Sequence, residues 1–140
     1  MLSLSKPIHK RLAEEFRFAA DNMANNPDLG TKLYFFSAFF GELNRVLNQS
    51  WSPELALVHL VIQSVHQQIS GRANMPTAGV IIPPEYPDAL DKVADALARL
   101  FEDERIDEAR LKQLLERAAE LGYMMTGNGY YLYRRGEISL

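Results

Sequence analysis

The sequence predicts a mainly α domain: a five-helix, bundle-like arrangement with a small C-terminal β-hairpin. Three observations carry this. Two consecutive segments place apolar residues at heptad spacing, at Leu29, Leu33, Phe36, Phe40, Leu43 and Leu47 and then at Leu55, Val58, Ile62, Val65 and Ile69. Helix-type periodicity recurs before and after them. Near the end, two aromatic-rich runs flank Gly127-Asn128-Gly129, the composition of a tight hairpin loop.

The first helix is expected over 6–24, with Ile8, Leu12, Phe16, Ala19 and Met23 on one side. Asn25-Asn26-Pro27 ends it, and Asn26 can cap a second helix with Pro27 at its first position. That helix runs to about 48. Ser52 caps a third over 53–71, with Pro53 and Glu54 suited to its first turn. Matched seams and a short link make 27–71 an antiparallel helical hairpin, the core of the domain. Residues 72–87 form a Pro-rich crossover in which four prolines and a glycine break the helix. Within it, 80–82 is a candidate third strand.

A fourth helix starts near Pro87 and ends near Phe101. Asp107 caps a fifth, with Ile106 and Leu111 placed as a hydrophobic staple. Gly122 is expected to turn left-handed at its end, with Tyr123 packing back. Strands follow at about 123–126 and 130–134, so 88–136 reads as a helix, helix, hairpin subregion. In a strand, Tyr131 and Tyr133 share one face. The 140 residues, 47% hydrophobic and 24% charged, fit a single globular domain spanning 1–140.

The same residues narrow the function. There is no cysteine, so disulfides, thiolate metal sites and cysteine nucleophiles are excluded together. The first residues hold no apolar core of signal-peptide length. The apolar run LYFFSAFFG is cut by Glu42, Asn44 and Arg45, well short of the roughly 20 residues a membrane span needs. We expect a cytoplasmic chain with no membrane segment. No phosphate-binding loop, dinucleotide fingerprint, nucleophile elbow or His-Glu-x-x-His is present. The acids at 102–108 lack the alternation and central glycine of a calcium loop. No cofactor, metal or catalytic residue is therefore expected, and the leaning is against an enzyme.

His59 and His66 lie seven residues apart at one edge of the third helix's apolar arc, with Gln63 beside them. They could line a small-ligand pocket, but as edge residues they mark where the core ends. Phe35, Phe39 and Val46 widen the second helix's apolar face, while Leu60 and Phe18 lie opposite the main arcs of their helices. With Tyr131 and Tyr133 of the hairpin, Phe35, Phe39 and Leu60 form the expected interaction surface. The leading expectation is thus a non-catalytic protein-interaction module that self-associates, as a dimer, or meets another protein.

The segment IDEARLKQLLERAAELGYMMTGNGYYLYRRG resembles the last helix and wing of a winged-helix domain. The resemblance implies a nucleic-acid-binding regulator touching its target through Arg110 and Lys112 on the helix and Arg134 and Arg135 on the wing. Two features depart from that pattern. Glu108, Glu116 and Glu120 interleave with the bases of the fifth helix, and the helix expected before the recognition helix is missing. A net charge of −3 also disfavours a nucleic-acid partner.

Overall fold

The computed structural model describes residues 2–73 and 81–139. Six α-helices stand among them: α1 (Lys6–Ala24), α2 (Leu29–Gln49), α3 (Pro53–His66), α4 (Tyr86–Glu102), α5 (Glu108–Met124) and α6 (Gly127–Arg134). A π-helical turn, Gln67–Gly71, follows α3 directly. The chain is mainly helical, as the periodicity predicts, with one helix more than expected and no β-strand among the described residues.

The α2–α3 pair runs antiparallel. Asn44 is bonded to His59, and Ser37 lies beside His66, so positions descend along α2 as they ascend along α3. The seam residues Leu33, Phe36, Phe40 and Leu43 face inward, as do Leu55, Val58, Ile62, Val65 and Ile69. The broad apolar face of α2 serves a second neighbour. Helix α1 lies against both α2 and α4, and Phe16 meets the rings of Phe39 and Phe101 edge-on at 4.8 and 4.7 Å. Edge-to-face geometry suits the ring quadrupoles, and each fully buried ring adds about 1.5–3 kcal/mol of burial.

Several helix ends follow the capping rules. Ser52 Oγ accepts from Leu55 N–H at 3.1 Å, and Asp107 Oδ1 accepts from Ala109 N–H at 2.9 Å. Ile106 and Leu111 are both buried, and Ile106 exchanges two backbone bonds with Leu2, tying the N-terminal segment to the α4–α5 link. At α2 the cap is Asp28 rather than Asn26. Its carboxylate accepts from Thr31 N–H at 2.9 Å, while Asn26 donates its side-chain amide back to the Asn22 carbonyl.

The C-terminal hairpin is corrected to a helix. Thr126 Oγ1 accepts from Gly129 N–H at 3.0 Å, an N-cap that starts α6 where the hairpin loop was expected. Gly129 serves proximity, not a turn, while Gly127 has open space around it. A Cβ at Gly129 would stand 1.8 Å from the Tyr123 carbonyl oxygen, and among the described residues only Gly136 has a positive φ. Gly122 is likewise inside α5 and buried. A side chain there would meet the Gln68 carbonyl at 2.7 Å, so it lets α5 approach the π turn. On a helix the tyrosine pairing changes too: Tyr130 and Tyr133 approach at 6.0 Å, not Tyr131 and Tyr133. The third strand does not form at Ile81 and Ile82; Ile81 N–H donates a single bond to the Met125 carbonyl at 2.9 Å. Val80, and residues 74–80 of the expected crossover, lie outside the described residues.

Tyr86, in the first turn of α4, is fully buried, and its hydroxyl has no partner among the described residues. Burial pushes its pKa up, so it stays neutral. An unpaired buried hydroxyl opposes folding. Tyr86→Phe should therefore leave stability unchanged or raise it by up to about 1 kcal/mol in urea unfolding. A loss larger than that would show that the hydroxyl is bonded.

Candidate interaction surface

The histidine edge of α3 is occupied from within. His59 Nε2 donates to Asn44 Oδ1 at 2.7 Å. His66 lies against Phe40 with ring centroids 4.0 Å apart and the planes tilted by 35°, and its Nε2 lies 3.1 Å from Ser37 Oγ. Gln63 is exposed. Glu42 of α2 is bridged by Arg11 and Arg45. Among the described residues no group of three His, Asp or Glu side chains is placed to hold a metal ion.

Burial holds the His66 pKa below its ordinary 6.5. An unfolded chain takes up this proton from about pH 6.5 downward, ahead of the folded chain, so the unfolded state binds more protons there. The stability that the neutral ring contributes is complete above pH 6.5 and is lost as pH falls through the folded-state pKa. The ring is half exposed, so the effect is modest. His66→Gln should flatten the fall in melting temperature between about pH 7 and pH 5, a slope that thermal scans at fixed ionic strength read directly. An unchanged slope would contradict the assignment.

The four basic residues of the winged-helix resemblance lose their wing, because 127–134 is helical. Arg110 pairs with Asp103 at 2.8 Å, Lys112 with Glu116 at 3.7 Å and Arg135 with Glu137 at 3.6 Å. Arg134 is exposed in the last turn of α6. Three of the four charges are thus already matched on the surface.

The expected apolar surface divides. Phe39 is only 2% exposed, covered by α1 through Phe16, so it is a floor rather than a contact. Phe35 is half-buried. Leu60 is 64% exposed on the outer face of α3, with Leu57 one turn before it. Tyr131 is exposed, under the Arg135 guanidinium at 5.4 Å, whereas Tyr133 is half-buried and donates to the Glu85 carboxylate. That bond lowers the Glu85 pKa and ties α6 to the start of α4.

Phe18 and Tyr34 stand out beside these, 60% and 71% exposed. They flank a groove of about 180 Å³ between α1 and α2, with Ala19, Phe35, Ala38 and Phe39 as its lining and Glu15 at its edge. Tyr34 and Phe35 meet edge-on at 5.5 Å. Sequence reasoning singled out Phe18 as lying off its helix's apolar arc but passed over Tyr34, which occupies the equivalent position on α2. The same helical wheel would have found it.

The fold and this surface define a helical bundle that presents aromatic side chains to solvent, with no helix among the described residues long and apolar enough to cross a membrane. Comparison of the chain with protein-family models, with curated proteins and with solved structures gives no match.

Proposed function

We propose that the chain is a non-catalytic interaction module that self-associates through the apolar flank of α1 and α2, with a dimer as its smallest assembly. One observation carries the reading: Phe18 and Tyr34 hold large apolar surface in water on either side of a single groove. Exposed aromatic surface that is contiguous across two elements is a mark of partner binding, and aromatic side chains give contact area with few rotors to freeze. The cysteine-free sequence suits the reducing cytoplasm.

Light scattering over a rising concentration series tests it. The mass of the wild-type chain should rise above that of a monomer. Phe18→Asp should hold it at the monomer with little change in melting temperature, because the ring is largely in solvent. A wild-type chain that stays monomeric throughout overturns the reading.

A further inference from the structure

We infer that the receptor for Phe18 is a different face of a second copy, the groove between α4 and α5, so that the chain associates head to tail. The inference rests on the self-association reading and adds its partner surface. It stands on two patches of opposite charge.

The first patch is a knob. Phe18 rises between two depressions on α1. Glu14 and Glu15 precede it by one turn and Asp21 follows by one turn, all exposed, and Glu14 makes only a long surface pair with Lys10 at 4.0 Å. The nearby Arg17 is already held by Asp95, Glu102 and Asp21. An aromatic anchor thus projects from an acidic surround.

The second patch is a socket of about 220 Å³. Val93, Ala96 and Leu114 are its apolar part, and Lys92, Arg110 and Arg117 are its cations. No carboxylate is among its described lining residues. Arg110 and Arg117 also reach Asp103 and Glu120 outside it. Lys92 is exposed and has no ion-pair partner among the described residues. An amphipathic helix with one large anchor flanked by carboxylates is the occupant such a groove selects, and α1 has that pattern in the turns around Phe18, with Glu14, Glu15 and Asp21 beside it.

The two patches lie on different sides of α4. Its Asp91 and Asp95 turn to Lys32 and Arg17 of α2 and α1, whereas Lys92 and Ala96 turn to α5. A chain therefore cannot fill its own socket, and a knob-to-socket contact made one way between two chains leaves one knob and one socket free. Such a contact is heterologous and grows past the dimer into rings or filaments.

Complementation between two variants tests this. Phe18→Asp removes the knob and keeps the socket. Lys92→Glu with Arg117→Glu reverses the socket and keeps the knob, and Lys92→Glu alone serves if the double change lowers the melting temperature. The wild-type mass should climb beyond two chains with concentration and fall back in high salt. Each variant alone should associate at least tenfold more weakly. Their equimolar mixture should form a species of two chains and nothing larger. If the socket variant associates like the wild type while Phe18→Asp is monomeric, self-association stands and the α4–α5 receptor is overturned. If the wild type never associates, both fall.

Discussion

Replacing Gly129 by alanine is expected to undock α6 and lower the melting temperature by on the order of 10 °C, whereas Gly127→Ala leaves both nearly untouched. The reason is where each new methyl group would go. At Gly127 there is open space, but at Gly129 a Cβ would sit 1.8 Å from the Tyr123 carbonyl oxygen, 2.5 Å from its carbon and 2.9 Å from Met124 Cα. These are backbone atoms of α5 and cannot rotate away, so α6 itself must move. Overpacking of a closed contact costs about 1–3 kcal/mol and sometimes more, and here the Thr126 cap and the tie between Tyr133 and Glu85 go with it. At about 3 kcal/mol, a domain of this size loses roughly 10 °C. Thermal melts and amide exchange over 127–134 measure both parts. Equal effects at 127 and 129 would contradict the close approach of α6 to α5 at Gly129.

Why that region misled the sequence reading is a matter of two uses of glycine. Gly-Asn-Gly between tyrosine-rich runs satisfies every local rule for a β-turn, and aromatic residues favour strands. The competing signal, Thr126 three residues before Gly129, is a capping pattern without its usual acidic partner. What decides between them is the close approach of α6 to α5, a tertiary fact that no local window contains. Gly122 was misread for the same reason: it is small because the π turn presses on it, not because the chain reverses there. By contrast, α1, the α2–α3 hairpin, α4 and α5 were legible because their apolar residues recur at helical spacing, and α3 and α5 also start at Ser52 and Asp107. At α2 two good caps stood close together, and Asp28 took the role from Asn26 because its carboxylate reaches Thr31.

The candidate surface was legible in part. Residues far from every apolar arc, Phe18 and Leu60, are in solvent as the wheel implies. Residues just beside the seam could not be assigned from one helix alone. Phe39 is covered by α1 through Phe16 and Val46 is buried, while Phe35, on the same broad face, is left at the rim of a groove. The histidines at the arc's edge are half covered, and both find partners on α2. Lys32 was passed over, although it falls between Phe39 and Leu43 on the α2 wheel. A cation inside an apolar arc is a visible signal of a buried partner.

That partner set makes Lys32 the most consequential charge in the fold. The residue is 3% exposed, and its ammonium donates to the Met23 carbonyl at 2.7 Å and to both oxygens of Asp91 at 2.8 and 2.9 Å. It joins the C-terminal end of α1, where carbonyls lack helical partners, to α2 and α4. Lys32→Ala should cost about 3–4 kcal/mol in urea unfolding, since it strands the Asp91 carboxylate and leaves a void, while the Met23 carbonyl keeps the Asn26 N–H at 3.2 Å. Asp91 keeps some access to water, which places the loss at the lower end of the range for a broken buried pair. Removing both charges tells a different story: Lys32→Met with Asp91→Leu should recover most of the loss, because well-packed apolar groups replace buried ion pairs at little net cost. Lys32→Arg should not rescue, as the planar guanidinium does not fit a site built for a compact ammonium. Salt should change the single variant's deficit little, because the contact is shielded from solvent ions. A Lys32→Ala loss under about 1 kcal/mol would place this contact among ordinary surface pairs and remove the clamp between the three helices.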